Sequence, residues 1–193
     1  MGKKFPIWWA VGCGVCFLIH MVSFVAVLTG AMTVWLNGFG VDGQGRLYIG
    51  MNRRIDIWED GRLIDQMGTN EMQRGYFLAM PQGTHILICY SDTIAILGLS
   101  GEKLDRIENI EYDTMCALKE AGRVHTTADG TTYRGHEGLG GYYITQEKGG
   151  MERIIYRMPP FYAALRIIAV LNGLAFGGLI VYQIYRGNMK RRW

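Results

Sequence analysis

From Ile7 to Leu36 the chain reads IWWAVGCGVCFLIHMVSFVAVLTGAMTVWL, without a charged side chain. A helix across a hydrocarbon core needs about 20 mostly apolar residues, so this run is long enough to span with tilt. Trp8 and Trp9 sit at one end and Trp35 near the other, the placement of interfacial aromatic belts. Pro6 suits a helix start, where its missing N–H costs nothing. A cleaved signal peptide competes with this reading, because Lys3 and Lys4 precede the run and Thr29-Gly30-Ala31 resembles a processing site. The apolar core of such a peptide is only about 7–15 residues, which favours an uncleaved anchor.

A second apolar run, Phe161 to Tyr185, holds one charge, Arg166, placed where it can snorkel to the headgroups. Basic residues crowd both ends of the chain: Lys3 and Lys4 at the start, Arg186, Lys190, Arg191 and Arg192 at the finish. Lys and Arg beside membrane segments stay cytoplasmic. The expected organisation is therefore a cytoplasmic start (1–6), a first span (7–36), an extracytoplasmic domain (37–160), a second span (161–185) and a basic cytoplasmic tail (186–193). That predicts a multi-pass protein of the cell membrane with both termini inside and the lipid bilayer as its first partner. All 17 acidic residues lie in the middle segment, where they outnumber the basic ones. Nucleic-acid binding is excluded on that ground, since it needs a basic face.

Between the runs, short stretches rich in Ile, Leu, Tyr and Val alternate with Gly-containing turns such as Asp60-Gly61, Gln82-Gly83, Asp129-Gly130 and Gly149-Gly150. Strands are predicted over 46–50, 55–58, 63–67, 75–80, 85–90, 93–97, 103–107, 115–119, 124–127, 131–134, 142–146 and 153–157. The spacing predicts an all-β domain. GRLYIGMNRRIDIWEDGRLIDQM repeats loosely as THILICYSDTIAILGLSGEKLDRI, with Leu47 matching Leu87 and Gly61 matching Gly101. A third copy, TTYRGHEGLGGYYITQEKGGMERIIYRM, is looser still. Such a period, with three or four strands per unit, is the mark of propeller blades.

The segment Asp42-Gly43-x-Gly45-Arg46-Leu47-Tyr48-Ile49-Gly50, followed by Ile55 to Trp58 and Asp60-Gly61, resembles NHL- or YWTD-type β-propeller blades. It is also similar in general terms to two-pass bacterial membrane proteins that carry such repeats. The resemblance implies a fold of two transmembrane helices flanking an all-β domain of propeller-blade-like antiparallel hairpins. Closed propellers have at least four blades, so a small barrel or sandwich built from the same hairpins is the alternative.

No catalytic, cofactor-binding or metal-binding set is expected. Cys13-Gly14-Val15-Cys16 has the spacing of a redox pair, although small helix-contact residues account for it more simply. His85, His125 and His136 lack metal-like spacing, and Asp42, Asp92, Asp105 and Asp129 fall in or beside turns, where they bond local backbone. Trp58, Tyr142 and Tyr143 read as core aromatics. Cys89 and Cys116 are a possible disulfide if the middle is exported, and two separate thiols otherwise. Cys16, His20 and Ser23 share one face of the first apolar run, and Ala169, Asn172, Gly173 and Gly177 form a small-residue ridge on the second. These residues predict helix–helix packing, with His20 facing Asn172.

The expected function is a non-enzymatic envelope protein, without cofactor, whose β domain binds a protein partner or ligand. Hairpin edges left open by three units also suit a homo-oligomer. The alternatives are an accessory subunit of a larger transporter or synthase and a thiol oxidoreductase using Cys13 and Cys16.

Overall fold

The computed structural model describes residues 7–29, 36–51, 53–68, 70–72, 75–138 and 141–190. Two compact units result, Met1–Met32 with Pro160–Trp193, and Thr33–Pro159. Helices are α1 (Ile7–Thr29), α2 (Tyr112–Ala121) and α3 (Pro160–Lys190). Strands are β1 (Phe39–Val41), β2 (Leu47–Gly50), β3 (Ile55–Glu59), β4 (Arg62–Met67), β5 (Phe77–Ala79) and β6 (Ile86–Tyr90). They continue with β7 (Thr93–Leu97), β8 (Lys103–Ile107), β9 (Val124–Thr126), β10 (Thr132–Gly138), β11 (Gly141–Lys148) and β12 (Met151–Arg157).

The strands of the second unit form three four-stranded antiparallel sheets, each a meander in chain order: β1 to β4, β5 to β8 and β9 to β12. The sequence repeats are β2-β3-β4, β6-β7-β8 and β10-β11-β12. Their turns follow from local chemistry. Asp60 (φ 48°) and Gly61 (φ 75°) close β3 onto β4, and Gly149 (φ 58°) and Gly150 (φ 79°) close β11 onto β12. Two successive positive φ values match the right-handed twist of the flanking strands.

Alternation decides which faces are buried. Ile86, Ile88 and Tyr90 on β6 face Tyr48, Ile55 and Ile57 of the first sheet in one apolar cluster. The opposite face of the second sheet, with Cys89 and Ile94, packs against Met115 and Leu118 of α2. This overturns the strand predicted over 115–119. Ala117, Leu118, Lys119, Glu120 and Ala121 are good helix formers, and Met115 and Leu118 lie three apart, on one helical face. Strand β1 has no counterpart among the predicted strands either, since three residues are too few to show a period.

The sheets stay open and do not close into a propeller. Their short first strands meet in direct backbone contact, where the inner strands of a propeller border a channel. Phe39 N–H donates to the Gly122 carbonyl at 2.9 Å, and Leu78 N–H donates to the Asn37 carbonyl at 2.6 Å. A Cβ on either Gly38 or Gly122 would overlap the Leu78 carbonyl oxygen. Three sheets are too few to leave a ring open at the middle, which is the physical reason the propeller expectation fails.

The two-span expectation is also corrected. Among the described residues no helix is long and apolar enough to cross a membrane. A span needs length and apolarity together. α3 carries charges at Arg166, Arg186 and Lys190. The transmembrane fold class, the cell-membrane localisation and the cytoplasmic termini lose their basis with it. Pro6, Trp35, the flanking Lys3 and Lys4, and Arg191 and Arg192 lie outside the described residues.

Within the helical unit α1 packs against α3. Cys13, Cys16 and His20, spaced by three and four, are half-buried on α1. Gly173 of α3 lies beside this face, and a Cβ there would touch the His20 ring at an ordinary contact distance of 3.9 Å. The side chains of Ser23, Ala169 and Asn172 lie outside the described set, and Gly177 is exposed.

Candidate functional site

Hairpin geometry is shared between the sheets. In the β1–β2 turn Gly45 N–H donates to the Asp42 carbonyl at 3.0 Å, and Asp42 N–H to the Arg46 carbonyl at 3.1 Å. The β9–β10 turn repeats this pattern, Gly130 to Thr127 at 2.9 Å and Thr127 to Thr131 at 2.9 Å. In the β5–β6 turn Gly83 N–H donates to the Met80 carbonyl at 3.1 Å. The three glycines all have positive φ, at 83°, 66° and 79° for Gly45, Gly83 and Gly130. Because the first strands meet at the centre, these three turns converge. They line a half-open cavity of about 530 Å³, with Asp42, Gln82, His125, Thr126, Asp129 and Tyr133 among its residues. That volume lies in the ordinary range for small-ligand sites.

Both carboxylates in the lining are spent on their own turns. Asp42 is 3% exposed. It accepts from the N–H groups of Gln44 and Arg46, each at 2.9 Å, from Arg46 Nε at 2.7 Å and from the Tyr48 hydroxyl at 3.3 Å. Asp129 accepts from Thr127 Oγ1 at 2.6 Å, Thr131 N at 3.2 Å, Thr131 Oγ1 at 3.0 Å and Lys148 Nζ at 2.8 Å. Lys148, with the threonine and backbone donors, holds the Asp129 carboxyl far below the usual carboxylate range. Neither group is a free base. This agrees with the turn-capping role read from sequence.

His125 is different. It is 5% exposed, lines the cavity, and no hydrogen bond among the described residues ties its ring. Burial lowers its pKa, so the imidazole is neutral near pH 7. It pairs across the ladder with Tyr133, whose ring lies 6.3 Å away at 49°. The Tyr133 hydroxyl accepts from Gln146 Nε2 at 2.9 Å, and Gln146 Oε1 accepts from Arg153 Nε at 2.6 Å. The Tyr133 proton is therefore available to another acceptor.

The remaining candidates are dispersed. His85 is exposed, with Nδ1 3.0 Å from Thr84 Oγ1. His136 stacks on Tyr143 at 4.6 Å, and its Nε2 lies 3.0 Å from Thr145 Oγ1. Among the described residues no cluster of His, Cys, Asp or Glu could hold a metal ion. Tyr142 is buried, stacked on Tyr156 at 5.9 Å, and Trp58 meets Tyr156 edge-on at 5.0 Å. Cys13 and Cys16 lie half-buried on α1, with no disulfide between them.

Cys89 and Cys116 are likewise unbonded, one buried in the sheet, the other exposed on α2. Burial pushes the Cys89 thiol up to about 12, which leaves almost no thiolate at neutral pH. In the native chain iodoacetamide should alkylate Cys116 about 100-fold faster than Cys89. Peptide mass spectrometry after timed quenching reads both rates. Equal rates, or a linked Cys89–Cys116 peptide, would contradict this arrangement.

His125 as a cavity residue was missed from sequence. The available signal was the shared spacing of Asp42–Gly45, Met80–Gly83 and Thr127–Gly130, which marks three equivalent hairpins. No family model matches this chain, and no curated protein matches it either.

Proposed function

We propose that the β-rich unit is a recognition module without catalytic activity, and that its ligand seats in the cavity enclosed by the three hairpin turns. One observation carries this reading: a turn from each of the three sheets contributes to a single concavity of ligand size. Sites with few polar groups on a rigid apolar support are typical binding pockets. The lining argues for binding over turnover. Among its residues there is no cysteine, serine or lysine, and both carboxylates are already saturated.

The full chain, labelled with nitrogen-15, should be titrated with a library of small soluble fragments. Hits are expected to move the amide resonances of Gly43, Gly83 and Ala128 together, because one ligand touches all three turns. Hits that map elsewhere on the β unit, or no hits at all, would remove this reading.

A further inference from the structure

The uncommitted groups of the cavity have a common character. A cationic ligand needs a free carboxylate, but Asp42 and Asp129 each already hold four donors. An anionic ligand needs a free cation. No Lys or Arg lines the cavity, and the nearby Arg46 and Lys148 are paired at 2.7 and 2.8 Å with those same carboxylates. What remains is neutral: the His125 ring and the Gln82 side-chain amide.

A neutral imidazole offers one N–H and one lone pair. Its complement is a group that donates and accepts at once, which describes an alcohol. Gln82 reaches the cavity from the β5–β6 turn, His125 and Tyr133 from β9 and β10. Groups set on two sheets suit a ring bearing several hydroxyls better than a single amide.

Resting on the binding reading above, we propose that the cavity is the seat of an uncharged, hydroxyl-rich ligand of mono- or disaccharide size. In this proposal His125 is the residue that reads a ligand hydroxyl. With both carboxylates saturated and no free cation in the lining, a charged analogue of the same shape gains no ion pair to offset the water its charge gives up.

The test uses the full chain and sugars matched in shape. Glucose, N-acetylglucosamine and maltose are the neutral arm, glucosamine the cationic one and glucuronate the anionic one. N-methylacetamide controls for simple amide binding. Titrations followed at the Gly43, Gly83 and Ala128 amides should give at least one neutral sugar a Kd about tenfold below either charged analogue. His125→Phe should weaken that sugar about tenfold, and His125→Asn, which keeps a donor and an acceptor, should recover part of the loss. Unchanged amide spectra away from the cavity establish that each variant is folded. Should His125→Phe not fold, His125→Asn against Gln82→Ala supplies the comparison, both being expected to weaken binding. Equal binding of glucuronate, glucosamine or N-methylacetamide overturns the proposal, as does silence of all three neutral sugars. Fragments that still bind the cavity when the sugars do not leave the recognition reading standing and remove only this one.

Discussion

Gly38→Ala should cost the β-rich unit about 4 kcal/mol, enough to leave much of it unfolded at 37 °C. Gly38 has φ +86°, and a side chain there would overlap the Leu78 carbonyl oxygen. The left-handed backbone costs an alanine roughly 1–2 kcal/mol, and overpacking adds typically 1–3 kcal/mol. Nothing nearby can yield, because the clash is with backbone that is already engaged: Leu78 N–H bonds to Asn37, and Gly50 N–H bonds to the Gly38 carbonyl at 2.9 Å. Gly122→Ala isolates the steric part. Its φ is −79°, which any residue adopts, yet its Cβ would meet the same oxygen. Gly43→Ala is the control, with no atom within 4 Å of the added carbon. Thermal unfolding of the three variants followed by circular dichroism should rank Gly38 worst, Gly122 next and Gly43 near the parent. A Gly38→Ala chain as stable as Gly43→Ala would mean that the three sheets do not meet at this point.

Asp42→Ala is the second large effect, expected at about 3 kcal/mol. Removing the carboxylate leaves two backbone N–H groups without their acceptor, and it strips the charge partner from Arg46, whose side chain is only 27% exposed. Asp42→Asn keeps the volume and one acceptor oxygen, so it should lose less. Asp129→Ala removes as many hydrogen bonds from the equivalent turn of the third sheet. Its side chain, however, is 54% exposed and its partner Lys148 67% exposed, so water replaces most of what is lost. Urea unfolding midpoints give the order directly: Asp42→Ala lowest, Asp42→Asn intermediate, Asp129→Ala closest to the parent. An equal loss at Asp42 and Asp129 would show that burial does not separate the two turns.

Much of the β-rich unit is legible in the chain because its information is local. Alternating apolar residues and the pairs Asp60-Gly61 and Gly149-Gly150 specify strands and hairpins without reference to distant residues. The repeat pairing Leu47 with Leu87 marks the second to fourth strands of the first two sheets. Segment 115–119 went wrong because apolar content alone does not separate strand from helix in a short run. There the 3-residue spacing of Met115 and Leu118 was the better guide, since it fits a helix lying on Cys89 and Ile94.

The apolar runs misled for a related reason. The span reading of Ile7–Leu36 and Phe161–Tyr185 rested on the length of each run and its near-absence of charge. In the folded chain Gly173 of the second run lies against the His20 ring of the first. By itself the sequence determined the strands of repeated hairpins, the turns between them and the capping of two turns by Asp42 and Asp129, all set by neighbours within a few residues. Only the tertiary structure decided that Gly38, Leu78 and Gly122 meet, and that three turns and His125 gather around one cavity. Those contacts join residues far apart in the chain, and whether a glycine is indispensable or a histidine is left unpaired depends on what packs beside it.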